Sequence, residues 1–223
     1  ELVTAVMNQS DIGMTISSEV LQYIDLLRDW DYRYSVDSVE TTLAVYWAQN
    51  LMTAVREDAA NNGINIYDYM VEQASDRQML SALRAAAETL HNDFGTWQVP
   101  WGVINRYQRL TGDLVQDFND EADSIAVPFA SGRWGSLASF GARRYPGTKL
   151  MYGTSGNSFV AAVEFGERLR ARAITVGGLS NNPDSAHFDD QAQMYADGEF
   201  RDVLFYREDI EANLETRYRP GGN

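Results

Sequence analysis

The spacing of apolar residues changes near residue 120, and this change restricts the possible folds more than any other feature of the sequence. Before it, apolar residues recur every three or four positions, as over residues 20–27, which is typical of amphipathic helices. After it, residues 158–165 alternate in the manner of a β-strand. The order predicts an α+β fold, with a helical segment over residues 1–120 and a β-rich segment with C-terminal helices over residues 121–223.

Start and stop signals define three helices in the first segment. Ser17 and Ser18 are suited to cap the first helix, and Gly63 follows the second in the position of a helix stop. Ser75 and Asp76 supply a cap and an early negative charge for the third. The predicted helices cover residues 18–30, 40–61 and 75–90.

The second segment contains a predicted β-hairpin, and the sequence favours one register for its two strands. Residues 158–165 and 169–176 are the two strands, and a two-residue loop at Gly166 and Glu167 would place Phe165 beside Arg168. We favour a three-residue loop, because it pairs apolar with apolar and acidic with basic side chains. That register pairs Phe165 with Leu169, Val163 with Ala171, and Glu164 with Arg170.

The remaining C-terminal sequence predicts shorter elements. A loop rich in Gly, Asn, Ser and Pro precedes a helix that runs through residues 191–195. A strand at residues 203–205, a final helix over residues 207–214 and a tail at residues 219–223 complete the chain.

Composition limits the function. A length of 223 residues with 44% hydrophobic content is sufficient for a substantial core. The 18 Lys and Arg residues against 32 Asp and Glu residues give a net charge of −14, which disfavours nucleic acid or an anionic membrane surface as a partner. The absence of cysteine excludes disulfides and thiolate chemistry. No stretch approaches the roughly 20 apolar residues that a membrane-spanning helix needs.

Ser155 is the first candidate nucleophile, because it lies within the sequence GTSGN. A nucleophile elbow requires G-x-S-x-G on a turn from a strand to a helix. Here Asn157 stands where the last glycine would be, and a predicted strand follows. We therefore predict that Ser155 is a structural residue of a glycine-containing turn that leads into a buried strand.

The two histidines are the other candidates for acid–base chemistry. Neither His91 nor His187 has the spacing of a metal site or of a known catalytic triad. His187 could hold a metal ion together with Asp189 and Asp190. The favoured interpretation is that these three residues cap the following helix and complement its dipole.

Four strings of sequence occur in the order found in a known family. They are WQVPWGVINRYQRL at 97–110, GRWGSLASFGARRYPG at 132–147, MYGTSGNSFVAAVEFG at 151–166 and SNNPDSAHFDDQAQMYADGEFRDVLFYREDIEA at 180–212. Together they resemble the C-terminal part of the penicillin acylase family, the N-terminal nucleophile amidohydrolases that include acyl-homoserine-lactone and aculeacin-type acylases. The resemblance covers essentially the whole chain, more loosely in its helical half.

This resemblance implies an exported precursor that is cut into an α-chain and a β-chain, and therefore a periplasmic or secreted protein. The first residue of the β-chain attacks the amide carbonyl with its hydroxyl, while its own α-amino group accepts the proton. Glu1 lacks the required hydroxyl. The oxyanion donors and the calcium ligands of relatives lie upstream of the matched strings, so the resemblance assigns no catalytic, cofactor-binding or metal-binding residue here, and no organic cofactor.

We expect the chain to be the C-terminal portion of an acylase β-chain, which helps to complete an αββα sandwich. Its partners would be the α-chain and the rest of the β-chain, and by itself it would be inactive and prone to self-association through open strand edges. The alternative is a free-standing extracellular binding module that uses loop aromatics to stack on ligands. The aromatics concerned are Tyr32, Tyr34, Trp97, Trp101 and Trp134.

Overall fold

The computed structural model describes residues 17–217 together with 219 and 221. The start of the chain, including Glu1 and the helical sequence around it, lies outside the described residues, as does part of the predicted tail. The described helices are α1 (Ser18–Arg28), α2 (Val39–Asn62), α3 (Ile66–Glu72), α4 (Asp76–Phe94), α5 (Trp101–Ile104), α6 (Ala192–Asp197) and α7 (Arg207–Ala212).

The three helices predicted in the first segment are confirmed as α1, α2 and α4, and their ends follow from local chemistry. The Ser17 hydroxyl accepts a hydrogen bond from the backbone N–H of Val20 at 3.4 Å. Gly63 ends α2 in the left-handed conformation with a φ of 65°. The short helix α3 was not predicted. Its seven residues carry only Ile66, Tyr69 and Met70 at helical spacing, and these are partly buried against the helical core.

The helical core forms mainly between α2 and α4. Leu43 and Val55 of α2 and Leu83 and Leu90 of α4 are fully buried in one apolar cluster. Polar contacts fix the pair of helices as well, since the indole N–H of Trp47 donates to the carbonyl oxygen of Met79 at 3.0 Å. This cluster is the largest apolar core of the described residues and extends to the first sheet.

The chain enters the sheets through α5. The backbone N–H groups of Trp101 and Gly102 donate to the carbonyl oxygens of Ser38 and Val36, at 3.0 Å and 2.7 Å. These two bonds hold the start of α5 against the segment that precedes α2. The first strand follows directly at Asn105.

The strands form two small sheets. The first has the order β2–β1–β4–β3, and its β1–β4 pair is parallel while its other pairs are antiparallel. The second is antiparallel, with the order β5–β6–β7. The strands are β1 (Asn105–Tyr107), β2 (Ile125–Ala126), β3 (Phe140–Arg143), β4 (Met151–Gly156), β5 (Phe159–Glu164), β6 (Arg170–Thr175) and β7 (Arg201–Asp202). The α+β class and the order of helices before strands are thus confirmed.

The predicted register of the hairpin is confirmed. Val163 lies opposite Ala171 and Glu164 opposite Arg170 in the β5–β6 pair. The prediction that β5 is buried is wrong, because its residues are exposed except for the half-buried Val160. The strand was assigned to the core from its apolar composition, but no described residue covers this face of the sheet.

The C-terminal elements differ slightly from those predicted. The strand expected at residues 203–205 is instead β7, which ends at Asp202, and the N–H of Val203 still donates to the carbonyl oxygen of Ala171 at 2.8 Å. The final helix α7 is bound to the hairpin through Arg168, whose guanidinium lies 3.0 Å from Glu208 and 2.6 Å from Asp209. No helix in the described residues is long and apolar enough to cross a membrane.

The start of α4 provides a test of local helix stabilisation. Ser75 and Gln78 form a capping box, in which each side chain bonds the backbone of the other residue. We expect Ser75→Ala to lower the free energy of unfolding by about 1 kcal/mol, measured by urea denaturation. Ser81→Ala, at an exposed position inside the same helix, should leave the stability unchanged or slightly raise it. Equal effects of the two substitutions would contradict the capping role.

Candidate functional site

A cleft of about 710 Å³ separates α2 from the β3–β4 edge of the first sheet, and it contains the candidate serine. Its walls come from α2, from the segment around the 3₁₀ helix Gly132–Trp134, and from β3 and β4. Apolar and polar groups alternate around it. The lining includes Tyr46, Gln49, Asn50, Met52, Thr53, Arg56, Trp101, Asn105, Arg133, Phe140, Arg143, Arg144, Met151, Thr154 and Ser155.

Ser155 lies in strand β4 and not in a turn, which corrects the prediction from sequence. It is paired with Gly141 of β3, and its hydroxyl donates to the carbonyl oxygen of Gly141 at 3.4 Å. The strand ends at the next residue, Gly156, which has a φ of 125°. The Asn157 side chain then accepts a hydrogen bond from the N–H of Ser139 at 2.7 Å. The pairing of β4 with β3 was not visible in the sequence, so the serine was assigned to the adjacent turn.

The glycines around Ser155 are required by packing. A Cβ atom on Gly153 would overlap the aromatic ring of Phe140 on the neighbouring strand, and one on Gly141 would overlap the Ser155 hydroxyl. Phe140 is buried and belongs to the second apolar cluster, with Val127, Ile174 and Tyr195. The glycines of GTSGN are therefore explained by the close contact of β3 with β4 and not by a nucleophile elbow.

Neither histidine lines the cleft that contains Ser155. His91 lies on the exposed side of α4 and faces a separate cavity with Glu88 and Trp97. Without a neighbouring base, the hydroxyl of Ser155 has no group to accept its proton during nucleophilic attack. Among the described lining residues of this cleft, no histidine, carboxylate or lysine is present to act as that base.

His187 has a more limited role than the sequence suggested. Its Nδ1 lies 2.9 Å from a carboxylate oxygen of Asp190, and its ring is largely exposed. The predicted capping of α6 by His187, Asp189 and Asp190 is wrong, because Gln191 is the N-cap residue and no side chain caps this helix. Backbone bonds hold the turn instead, including one from Gln191 N–H to the Gly177 carbonyl at 2.8 Å. Among the described residues, no group of three or more His, Cys, Asp or Glu side chains could hold a metal ion.

Arginines dominate the electrostatics of the cleft. Arg144 forms a salt bridge with Asp93 and donates to the Tyr46 hydroxyl at 3.1 Å. Burial raises the pKa of Tyr46, and the adjacent guanidinium only partly offsets this, so the phenol remains protonated at neutral pH. Arg143, the last residue of β3, lies over the ring of Tyr145, with its guanidinium carbon 4.8 Å from the ring centre. The Arg143–Arg144 doublet within GARRYPG is a visible signal in the sequence, but two adjacent basic residues do not by themselves predict a cleft.

The five aromatics that could have served a binding module are mostly packed. Trp101 is 2% exposed in α5, and Tyr34, Trp97 and Trp134 are half-buried against the helical core. Tyr32 alone of the five is strongly exposed, and it has a positive φ of 61°. These aromatics therefore form no continuous exposed platform for stacking.

The comparison with known families agrees with the fold and with the ordered strings of sequence. The family described as penicillin amidase matches residues 1–212 of this chain. The chain belongs to the penicillin amidase family.

The packing of Gly153 against Phe140 gives a direct test. We expect Gly153→Ala to lower the free energy of unfolding by about 1–3 kcal/mol, because the added methyl group displaces a buried ring. Gly166→Ala is the matched control, since a Cβ atom there meets nothing closer than the Arg168 carbonyl oxygen at 3.8 Å, and it should change the stability little. An unchanged thermal midpoint for Gly153→Ala would show that the ring of Phe140 does not restrict the residue at position 153.

Proposed function

We propose that this chain is the supporting C-terminal portion of an amide-bond hydrolase that cleaves N-acyl compounds. Substrates of the β-lactam, N-acyl-homoserine lactone or lipopeptide type are consistent with the family. In this proposal another part of the polypeptide supplies the N-terminal nucleophile, the α-amino base and the oxyanion donors. The intact enzyme would act in the periplasm or outside the cell.

The observation that carries the proposal is the environment of Ser155. Its hydroxyl is bonded to the Gly141 carbonyl at 3.4 Å, and the cleft around it includes no histidine, carboxylate or lysine among the described residues. Membership of an amidase family, together with a serine that has no base, is what a supporting segment would show. The cleft therefore supports a structural role for this part of the enzyme, with the chemistry located elsewhere.

The exposed face of the hairpin supports the same proposal. Phe159 and Val163 lie four positions apart, so they project from one face of β5. Phe165 follows just after the strand, and the three residues are 57%, 46% and 85% exposed. In the described residues β5 is also an edge strand, because it pairs only with β6. Apolar faces and open edges of this kind are normally covered in a complete protein, and we propose that other segments of the amidase cover this one.

The catalytic part of the proposal can be tested with a panel of N-acyl p-nitroanilides. The isolated 223-residue chain should release no nitroaniline above the buffer rate, while the intact amidase hydrolyses at least one substrate of the panel. Ser155→Ala in the intact enzyme should keep kcat/KM within about twofold, because the residue contacts only a backbone carbonyl. Hydrolysis by the isolated chain that disappears in a folded Ser155→Ala variant would refute the proposal.

The open face of β5 predicts self-association of the isolated chain. We expect dimers or larger species in multi-angle light scattering, with a mass that increases with protein concentration. Val163→Lys should reduce this association, since a charge on an edge strand opposes edge pairing. Val71→Lys is the matched control, because Val71 is a 59% exposed valine on α3, and it should have no effect. A monomer at all concentrations would contradict the prediction.

A further inference from the structure

The cleft between α2 and the β3–β4 edge gathers positive charge in a strongly acidic chain. Arg56, Arg133, Arg143 and Arg144 all line it, and no Asp or Glu is among its described lining residues. The whole chain has only 18 basic residues against 32 acidic ones. A concave surface with one sign of charge attracts ligands of the opposite sign, and here that sign opposes the net charge of the protein.

Most of this charge is available for binding. Asp93 neutralises Arg144, but Arg56, Arg133 and Arg143 form no salt bridge within residues 17–217. All three of these side chains belong to exposed residues. Guanidinium groups bind carboxylates through paired, charge-assisted hydrogen bonds, so an organic anion is the ligand that this lining favours.

Two buried polar atoms in the wall of the cleft also lack partners. The side-chain oxygen of Asn105 is a buried acceptor, and Nε of Arg144 is a buried donor, and neither has a hydrogen-bond partner in the described part of the chain. Asn105 itself is 0% exposed, and its amide nitrogen donates to the carbonyl oxygens of Val127 and Phe129 at 2.7 Å and 2.8 Å, which fixes the orientation of the amide. Buried polar atoms are rarely left unpaired, and these two belong to residues that line the cleft, although both atoms are closed to solvent.

Part of the remaining lining is apolar. Met52, Trp101, Phe140 and Met151 contribute to the walls beside the arginines. The volume of about 710 Å³ lies within the range of small-molecule sites. The combination suits a small ligand with an apolar body and an anionic end, because an inorganic anion would leave the apolar part of the cleft unfilled.

We propose that this cleft binds a small organic acid, with its carboxylate paired to the arginines and its apolar body against the methionine and aromatic side chains. Binding requires no catalytic group, so the proposal is independent of the amidase function and of the polypeptide that supplies the nucleophile.

Isothermal titration calorimetry of the 223-residue chain at low salt tests the proposal with two matched probes. The first is 3-phenyllactate, which has a carboxylate, a hydroxyl and an apolar ring, and the second is the neutral 3-phenyllactamide. We expect saturable binding of the acid and at least tenfold weaker binding of the amide, because the amide lacks the charge that pairs with the arginines.

Three variants locate the site. Arg56→Gln and Arg143→Gln should each weaken the binding of 3-phenyllactate by about threefold, the effect of losing an exposed ion pair. Arg207→Gln removes one positive charge, as the other two substitutions do, but on the exposed surface of α7 and away from the cleft lining. It should leave the affinity for 3-phenyllactate unchanged. Circular dichroism and the thermal midpoint establish that each variant is folded.

Four results would overturn the proposal. The first is equal binding of the acid and the amide, or binding of neither. The second is an equal loss of affinity in Arg207→Gln, which would indicate general charge attraction. The third is displacement of the acid by sulfate at matched ionic strength and equal concentration, which would indicate a site for any anion. The fourth is binding of the peptide acetyl-Glu-Ala-Glu-Ala-Glu-amide without binding of 3-phenyllactate, which would identify the cleft as a docking surface for acidic polypeptide.

Discussion

The burial of Asn105 is the interaction on which the joining of helices and sheets depends. The residue follows α5 directly and begins β1, which pairs with β2 on one side and with β4 on the other. Its side-chain amide donates to two carbonyl oxygens of the segment after β2, and its own carbonyl accepts from the N–H of Val127 at 3.0 Å. These bonds hold the backbone of residues 127–129 where it has no strand partner of its own. An apolar residue at this position would remove the amide donor from both carbonyls and leave the Phe129 carbonyl with only the 3.4 Å bond from the Trp101 indole N–H, which is unfavourable.

The environment of Ser155 shows how one local sequence can result from two different physical causes. Small residues flank a catalytic serine in an elbow because the backbone there is strained. In this chain they flank Ser155 because the ring of Phe140 lies over Gly153, and because Gly156 adopts a φ of 125° at the end of the strand. The two cases can be separated only by the partner strand, since β3 supplies both the ring and the carbonyl that accepts from the serine.

The distribution of charge around the first sheet has a comparable explanation. Arg143 is the last residue of β3 and Arg144 follows it directly, yet their environments differ. Arg144 turns toward Asp93 and Tyr46 at the helical core, whereas Arg143 is exposed over Tyr145. Arg144 therefore joins the end of the sheet to α4, whereas Arg143 stays accessible at the cleft. The result is a cationic surface in a protein whose overall charge is strongly negative.

The sequence by itself determined the elements whose signals are local. The ends of α1, α2 and α4 follow from caps within a few residues, and the hairpin register follows from side-chain pairing across three loop residues. Family membership was also readable, because it depends on the order of four strings. Only the tertiary structure decided the parallel β1–β4 pair, the place of Ser155 within β4, the exposure of β5 and the gathering of four arginines in one cleft. Each of these depends on contacts between residues far apart in the chain, and such contacts leave no periodic or capping signal in the segments that make them.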